Sequence, residues 1–153
     1  MKCSNGTLTF INVEDDQGHA VLLQRILKRV GVENSILHFK NGETFLKYCY
    51  EHLLIHYEPD MRYVIFLDIR MPKIDGIEVL EQIKTHEELR KIPVIMLTTT
   101  GNQHDIDICY AKGCNSYICK PYNFHDIQDV LKNLIEYFKR VPFPLIKTKS
   151  TII

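Results

Sequence analysis

Apolar residues in this chain fall into short runs that alternate with stretches of helical spacing. Leu8, Phe10, Ile11 and Val13 form a β-rich run that stops at the acidic Glu14-Asp15-Asp16. Ala20, Leu23, Ile26, Leu27 and Val30 then recur at three- and four-residue intervals before Gly31, which predicts an amphipathic helix and its stop. The alternation repeats, with a strand over Ile36 to Phe39, a turn at Asn41-Gly42, and a helix from Phe45 to about Ile55 that Pro59 and Asp60 end. Val64-Ile65-Phe66-Leu67, in the run from Arg62, has the unbroken apolar character of a strand covered on both faces, and it ends at Asp68. Ile77, Leu80 and Ile83 predict the next helix, and Val94 to Leu97 a fourth strand followed by three threonines. A helix over about His104 to Lys112 closes at Gly113, a fifth strand covers Ser116 to Cys119, and Lys120-Pro121 interrupts the chain. The last helix begins near Phe124 and carries the stripe Ile127, Val130, Leu131, Leu134, Ile135 and Phe138, until Pro142 and Pro144 forbid continuation.

Strands alternating with helices predict an α/β, doubly wound parallel sheet, because each crossover helix must cover a sheet face. In that architecture reactive groups collect at the carboxyl ends of the strands. Those ends carry Glu14 and Asp15, Asp68, Thr98 and Lys120. Singly, an Asp or Thr there caps a helix and a Lys is solvated. Together they place three carboxylates, a hydroxyl and an ammonium on one edge. Converging carboxylates repel and need a cation or a shared proton. Oxygen-only donors suit Mg2+, which keeps several waters.

Composition narrows the picture. The length of 153 residues, with 45% hydrophobic and 25% charged residues, suits one globular domain. Nineteen basic and nineteen acidic side chains cancel, so no whole-chain field draws the protein to nucleic acid or to an anionic membrane. Apolar runs of four or five residues are too short to span a bilayer, and the amino terminus lacks the apolar stretch of a secretory signal, so a cytoplasmic protein is expected. Five cysteines fit reduced thiols, and the glycosylation-like triplet Asn5-Gly6-Thr7 is idle without export. The evenly spaced Cys109, Cys114 and Cys119 read as buried small hydrophobes, and His52 and His56, one turn apart without a third ligand, as a solvated helix face. None of the histidines shows catalytic spacing.

The chain resembles the receiver domains of two-component response regulators from about Thr7 to Phe138. The likeness is carried by Val13-Glu14-Asp15-Asp16, Phe66-Leu67-Asp68-Ile69-Arg70-Met71-Pro72 with Asp75-Gly76, Leu97-Thr98-Thr99, and Tyr117-Ile118-Cys119-Lys120-Pro121. The resemblance implies a flavodoxin-like five-stranded sheet in the order 2-1-3-4-5, with a receiver domain over 5–140, a tail over 141–153 and no output domain. It implies that Asp68 accepts a phosphoryl group from a histidine kinase or phosphotransfer protein. Glu14, Asp15, Asp68 and the Arg70 backbone carbonyl would hold Mg2+, Lys120 and Thr98 would neutralise phosphoryl oxygens, and the Lys120–Pro121 bond would be cis. Thr98 and Tyr117 would form a switch acting on the face of the fourth helix, fifth strand and fifth helix. The signal would then pass to a separate protein or through a homodimer on that face, with no direct contact to nucleic acid or membrane. Such a protein acts on no separate substrate, and the narrower likeness is to stand-alone receivers, including those paired with phytochrome-type kinases.

Some positions depart from the family pattern. Glu14 stands where Asp is frequent, and Thr99 where a smaller residue is. A magnesium-dependent phosphohydrolase would need a second Asp where Arg70 stands, a flavodoxin-like nucleotide binder would need a phosphate loop after the first strand, and a pseudo-receiver would not need Asp68 and Lys120 intact. For the tail, packing of Val141, Phe143, Leu145 and Ile146 on the domain, packing on a second copy, and disorder are all open.

Overall fold

The computed structural model describes residues 6–34 and 36–148. Cys3, Asn5 of the glycosylation-like triplet and tail residues 149–153 lie outside the described residues. Five parallel strands form one sheet: β1 (Thr7–Val13), β2 (Leu37–Phe39), β3 (Met61–Leu67), β4 (Val94–Thr98) and β5 (Ser116–Cys119), in the order β2-β1-β3-β4-β5. Five helices link and follow them. These are α1 (Gln17–Arg29), α2 (Gly42–Tyr48), α3 (Gly76–Thr85), α4 (Gln103–Ala111) and α5 (Gln128–Arg140). The helical course of α2 continues through a π-helical turn, Cys49–Leu53, into a last turn, Leu54–His56.

Period-two alternation divides the core into two layers. Ile11, Val13, Ile65, Leu67, Val94 and Met96 face Phe45 and Leu46 of α2, Val79, Leu80 and Ile83 of α3, and Cys109 of α4. Leu8, Phe10, Val64, Phe66, Ile95 and Leu97 face Leu23, Ile26 and Leu27 of α1 and Leu131, Ile135 and Phe138 of α5. Each fully buried aliphatic or aromatic side chain contributes about 1.5–3 kcal/mol by leaving water, and this sets which faces the helices present. The helix starts are local chemistry: Asp16, Asn41, Asp75 and Asn102 cap α1, α2, α3 and α4 by accepting the amides of His19, Thr44, Glu78 and Asp105.

Two details differ from the pattern-based expectation, and the described part of the tail adopts one of the arrangements left open for it. The last helix opens as a 3-10 turn, Phe124–Ile127, and Ile127, Leu131, Ile135 and Phe138 line the core while Val130 is exposed. Cys109 and Cys114 are buried as expected, whereas Cys119 is exposed on the edge strand. The tail leaves α5 at Arg140 and packs back across the amino-terminal side of the sheet. Phe143 meets Phe138 edge to face and lies under the Arg62 guanidinium, 5.3 Å from ring centroid to carbon. Ile146 is buried in the opposite layer, and Glu88 accepts the Lys147 amide at 2.7 Å.

Candidate phosphoacceptor site

Strand order reverses between β1 and β3, and their register sets the first half of the site. Val13 pairs with Leu67, so Glu14 and Asp68 leave the sheet side by side, and the Asp68 amide donates to the Val13 carbonyl at 3.1 Å. Glu14 is fixed from its other side as well: its amide donates to the Phe39 carbonyl at 3.0 Å, and His38 Nε2 donates to its carbonyl at 2.8 Å. The second half comes from β4 and β5, where Thr98 pairs with Cys119 and the Lys120 amide donates to the Thr98 carbonyl at 2.8 Å. The loop after Asp68 closes tightly, with the Gly76 amide donating to the Ile69 carbonyl at 2.8 Å. A Cβ at Gly76 would stand 1.9 Å from the Asp68 carbonyl oxygen, so only glycine lets α3 begin this close to the strand end.

The functional side chains meet where these elements end. Lys120 Nζ, its side chain 3% exposed, donates to Glu14 Oε2 at 3.0 Å and stands 3.7 Å from Asp68 Oδ2. Asp68 Oδ1 accepts the Ile69 amide at 2.8 Å, which leaves Oδ2 as the oxygen facing the lysine. Carboxylate oxygens of Glu14, Asp15 and Asp68 lie within 4.8 Å of one another, Glu14 and Asp68 buried and Asp15 exposed. Thr98 is fully buried, and its hydroxyl lies 3.4 Å from both the amide and the hydroxyl of Thr100. Tyr117 is half-buried on the edge strand and donates its hydroxyl to the Thr100 carbonyl, so the β4–α4 loop joins Thr98 and Tyr117.

Burial pushes the Glu14 carboxyl up to about 8, and the neighbouring Asp68 adds to the rise while Lys120 opposes it. Once Glu14 gives up its proton, three carboxylates against one ammonium leave two negative charges in excess, which a divalent cation balances. The donor set is all oxygen and opens to solvent through Asp15, so these residues fit a hard metal ion.

The structure thus brings together the side chains of Glu14, Asp15, Asp68 and Lys120, sets Thr98 beside Lys120 through the backbone, and ties Tyr117 to Thr98 through Thr100. Arg70 is exposed on the loop that follows Ile69. The Lys120–Pro121 bond is trans, a correction to the expected cis bond, since no peptide bond among the described residues is cis. The trans form is the cheaper one before proline, and Lys120 reaches Glu14 and Asp68 without the other. His52 and His56 touch with rings tilted 49° and centroids 5.2 Å apart, and both ligand clusters of three or more among the described residues contain Glu14 instead.

His19 is the site residue that the spacing argument passed over. Its Nδ1 lies 3.2 Å from Glu14 Oε1 and 3.2 Å from Lys120 Nζ. It is the third residue of a helix capped immediately after the acidic pair, and side chains there lean back over the helix start. That position is the signal by which the sequence could have revealed it.

Residues 10–132 match the family described as the response regulator receiver domain. The chain is 38% identical over 128 residues to the probable methanogenesis regulatory protein FilR2 of Methanothrix harundinacea, covering 82% of this chain and 80% of that protein. Its fold superposes on the response regulator receiver domain from Rhodospirillum rubrum with a TM-score of 0.80, at 31% identity, covering 91% of this chain and 99% of the other. The phosphorylated cyanobacterial phytochrome response regulator RcpA gives a TM-score of 0.77 at 29% identity, covering 89% of this chain and 97% of that one. No helix among the described residues is long and apolar enough to cross a membrane. With an acidic nest, a buried aspartate and a facing lysine at its strand ends, the chain belongs to the response regulator receiver family, and it is a phosphoacceptor of two-component signalling.

Proposed function

We propose that Asp68 is the residue that takes the phosphoryl group, from the histidine of a kinase or phosphotransfer protein, with Mg2+ held by Glu14, Asp15, Asp68 and the Arg70 backbone carbonyl. The observation that carries this reading is the single buried cluster in which Asp68 Oδ2 faces Lys120 Nζ while Asp68 Oδ1 is held by the Ile69 amide. Oδ2 attacks phosphorus as the phosphorus–nitrogen bond breaks, the electron pair returning to the imidazole and an acyl phosphate forming on Asp68. Magnesium, when bound, neutralises charge on the phosphoryl oxygens. Lys120 adds a point cation to the same oxygens, and the Thr98 hydroxyl turns from Thr100 to donate to one of them. The chain thereby catalyses its own phosphorylation and dephosphorylation and acts on no separate metabolite.

Movement of Thr98 releases its contacts with Thr100, whose carbonyl holds Tyr117. Two arrangements of Tyr117 that differ in their contact with the phosphoryl group are what an equilibrium shift requires. The readout surface is α4, β5 and α5, which exposes Tyr110 and Val130 to a downstream protein or a second copy. The setting is the cytoplasm, where kinase partners present their phosphohistidine.

Titration of Mg2+ into wild type and Asp15→Asn, followed by tyrosine fluorescence, tests the metal assignment. Asp15→Asn is expected to weaken Mg2+ binding about tenfold or more. Equal affinities would remove Asp15 from the metal set.

A further inference from the structure

His19 is none of the groups the phosphoryl transfer uses, yet it stands among them. Its amide is held by the Asp16 cap at 3.0 Å, and its ring stacks on Phe124, centroids 6.0 Å apart and planes 28° from parallel. The ring is therefore oriented from both sides of the site, by α1 and by the segment that follows Lys120-Pro121. His19 Nδ1 lies 3.2 Å from both Lys120 Nζ and Glu14 Oε1, and because an ammonium has only donors, the tautomer with its proton on Nε2 presents the Nδ1 lone pair to the lysine. Lys120 Nζ thus has two acceptors on the α1 side, Glu14 Oε2 at 3.0 Å and His19 Nδ1 at 3.2 Å, and lies farther, 3.7 Å, from Asp68 Oδ2. A lysine that must reach a phosphoryl oxygen on Asp68 has first to give up contacts on that side.

We propose that His19 is a positioning residue that restrains Lys120, holding its ammonium toward Glu14 in the resting protein and so setting how readily the lysine moves to a phosphoryl group. The proposal rests on the reading of Asp68 and Lys120 given above. Glu14 cannot play this part alone, because a cation held by Glu14, Asp15 and Asp68 draws on the same carboxylate, whereas His19 lies outside that set. The restraint opposes activation: it stabilises the resting position and is weakened or lost in the phosphorylated one.

Two substitutions separate the lone pair from the ring. His19→Phe keeps the stack on Phe124 and removes the acceptor, while His19→Gln replaces the acceptor with an amide oxygen on a flexible stem. The measurements are the affinity for beryllium fluoride, a phosphoryl mimic, at saturating Mg2+, and the rate of acyl phosphate formation from acetyl phosphate. His19→Phe is expected to bind beryllium fluoride about 3- to 10-fold more tightly and to be phosphorylated faster by a similar factor, with His19→Gln within about twofold of wild type. Should His19→Phe not fold, as judged by its thermal transition, His19→Ala serves with the same expectation. A Phe variant equal to or weaker than wild type, or a Gln variant that follows the Phe variant, overturns the restraint. A wild type that takes neither beryllium fluoride nor acyl phosphate fails one step earlier, removing the phosphoacceptor reading and this proposal with it.

Discussion

The two ends of the sheet both bury charge, and they satisfy it in opposite ways. At the amino end, Arg62 is buried, donating to the Gly6 carbonyl from two nitrogens at 2.6 and 3.2 Å and to the Phe138 carbonyl at 3.3 Å, with Phe143 against its face. Lys84, its ammonium pushed down to about 8 by burial, donates to the Arg90 and Ile92 carbonyls and to Asn115 Oδ1. These cations meet neutral oxygens from several segments, and the contacts lock those segments together. At the carboxyl end, Glu14, Asp68 and Lys120 meet chiefly one another, with carboxylates in excess. Charge answered by backbone carbonyls makes a staple, whereas charge left unbalanced makes a place for a ligand. The first end secures the fold, and the second keeps its electrostatic deficit for chemistry.

The largest expected effect separates the two ends by their response to metal. Lys120→Met leaves Glu14 and Asp68 without their cation, and in metal-free buffer the unfolding free energy falls by about 3 kcal/mol. Added Mg2+ restores most of that loss in urea denaturation, because it supplies the missing positive charge. A loss that Mg2+ leaves untouched would mean that Lys120 is a staple like Arg62. At the amino end, Phe143→Ala removes a half-buried ring from Phe138 and Arg62. It is expected to cost about 2 kcal/mol, unrelieved by Mg2+ and with phosphorylation rates within about twofold of wild type.

A smaller effect appears with pH. Glu14 has an ordinary value of 4.5 and is raised to about 8 in the folded protein, so the folded state holds a proton that the unfolded chain has released. Its contribution to stability is complete below 4.5 and is lost as pH rises through about 8. Metal-free urea midpoints of wild type therefore fall between about pH 5 and about pH 8 by more than those of Glu14→Gln. Parallel curves for the two proteins would show that Glu14 is ionised throughout and that the acidic excess is compensated by other means.

Much of this organisation was legible from the residues. Strands buried on both faces announce themselves as continuous apolar runs, and in a parallel sheet the residue after each run lands on one edge, so Glu14, Asp68, Thr98 and Lys120 emerge as a set. What escaped depends on contacts that periodicity does not encode. His19 reaches Lys120 because Asp16 caps the helix and Phe124 orients the ring, and neither follows from the spacing of histidines. The tail has no period, and its order comes from Arg62, Phe138 and Glu88, which are remote in the chain. Val130 and Leu131 are successive residues of α5, and the buried line runs through Leu131, Ile135 and Phe138, which leaves Val130 at its solvent edge. The π-helical turn after α2 inserts an extra residue that no apolar pattern marks.

The central claim is that one carboxylate, Asp68, carries the phosphoryl group when the acidic nest is supplied with a divalent cation. Wild type and Asp68→Asn, each treated with acetyl phosphate in the presence and absence of Mg2+ and weighed intact by mass spectrometry, test it directly. The account predicts a single phosphoryl adduct on wild type with Mg2+, and none on Asp68→Asn or after chelation. An adduct of equal yield on Asp68→Asn, or none on wild type, would contradict it.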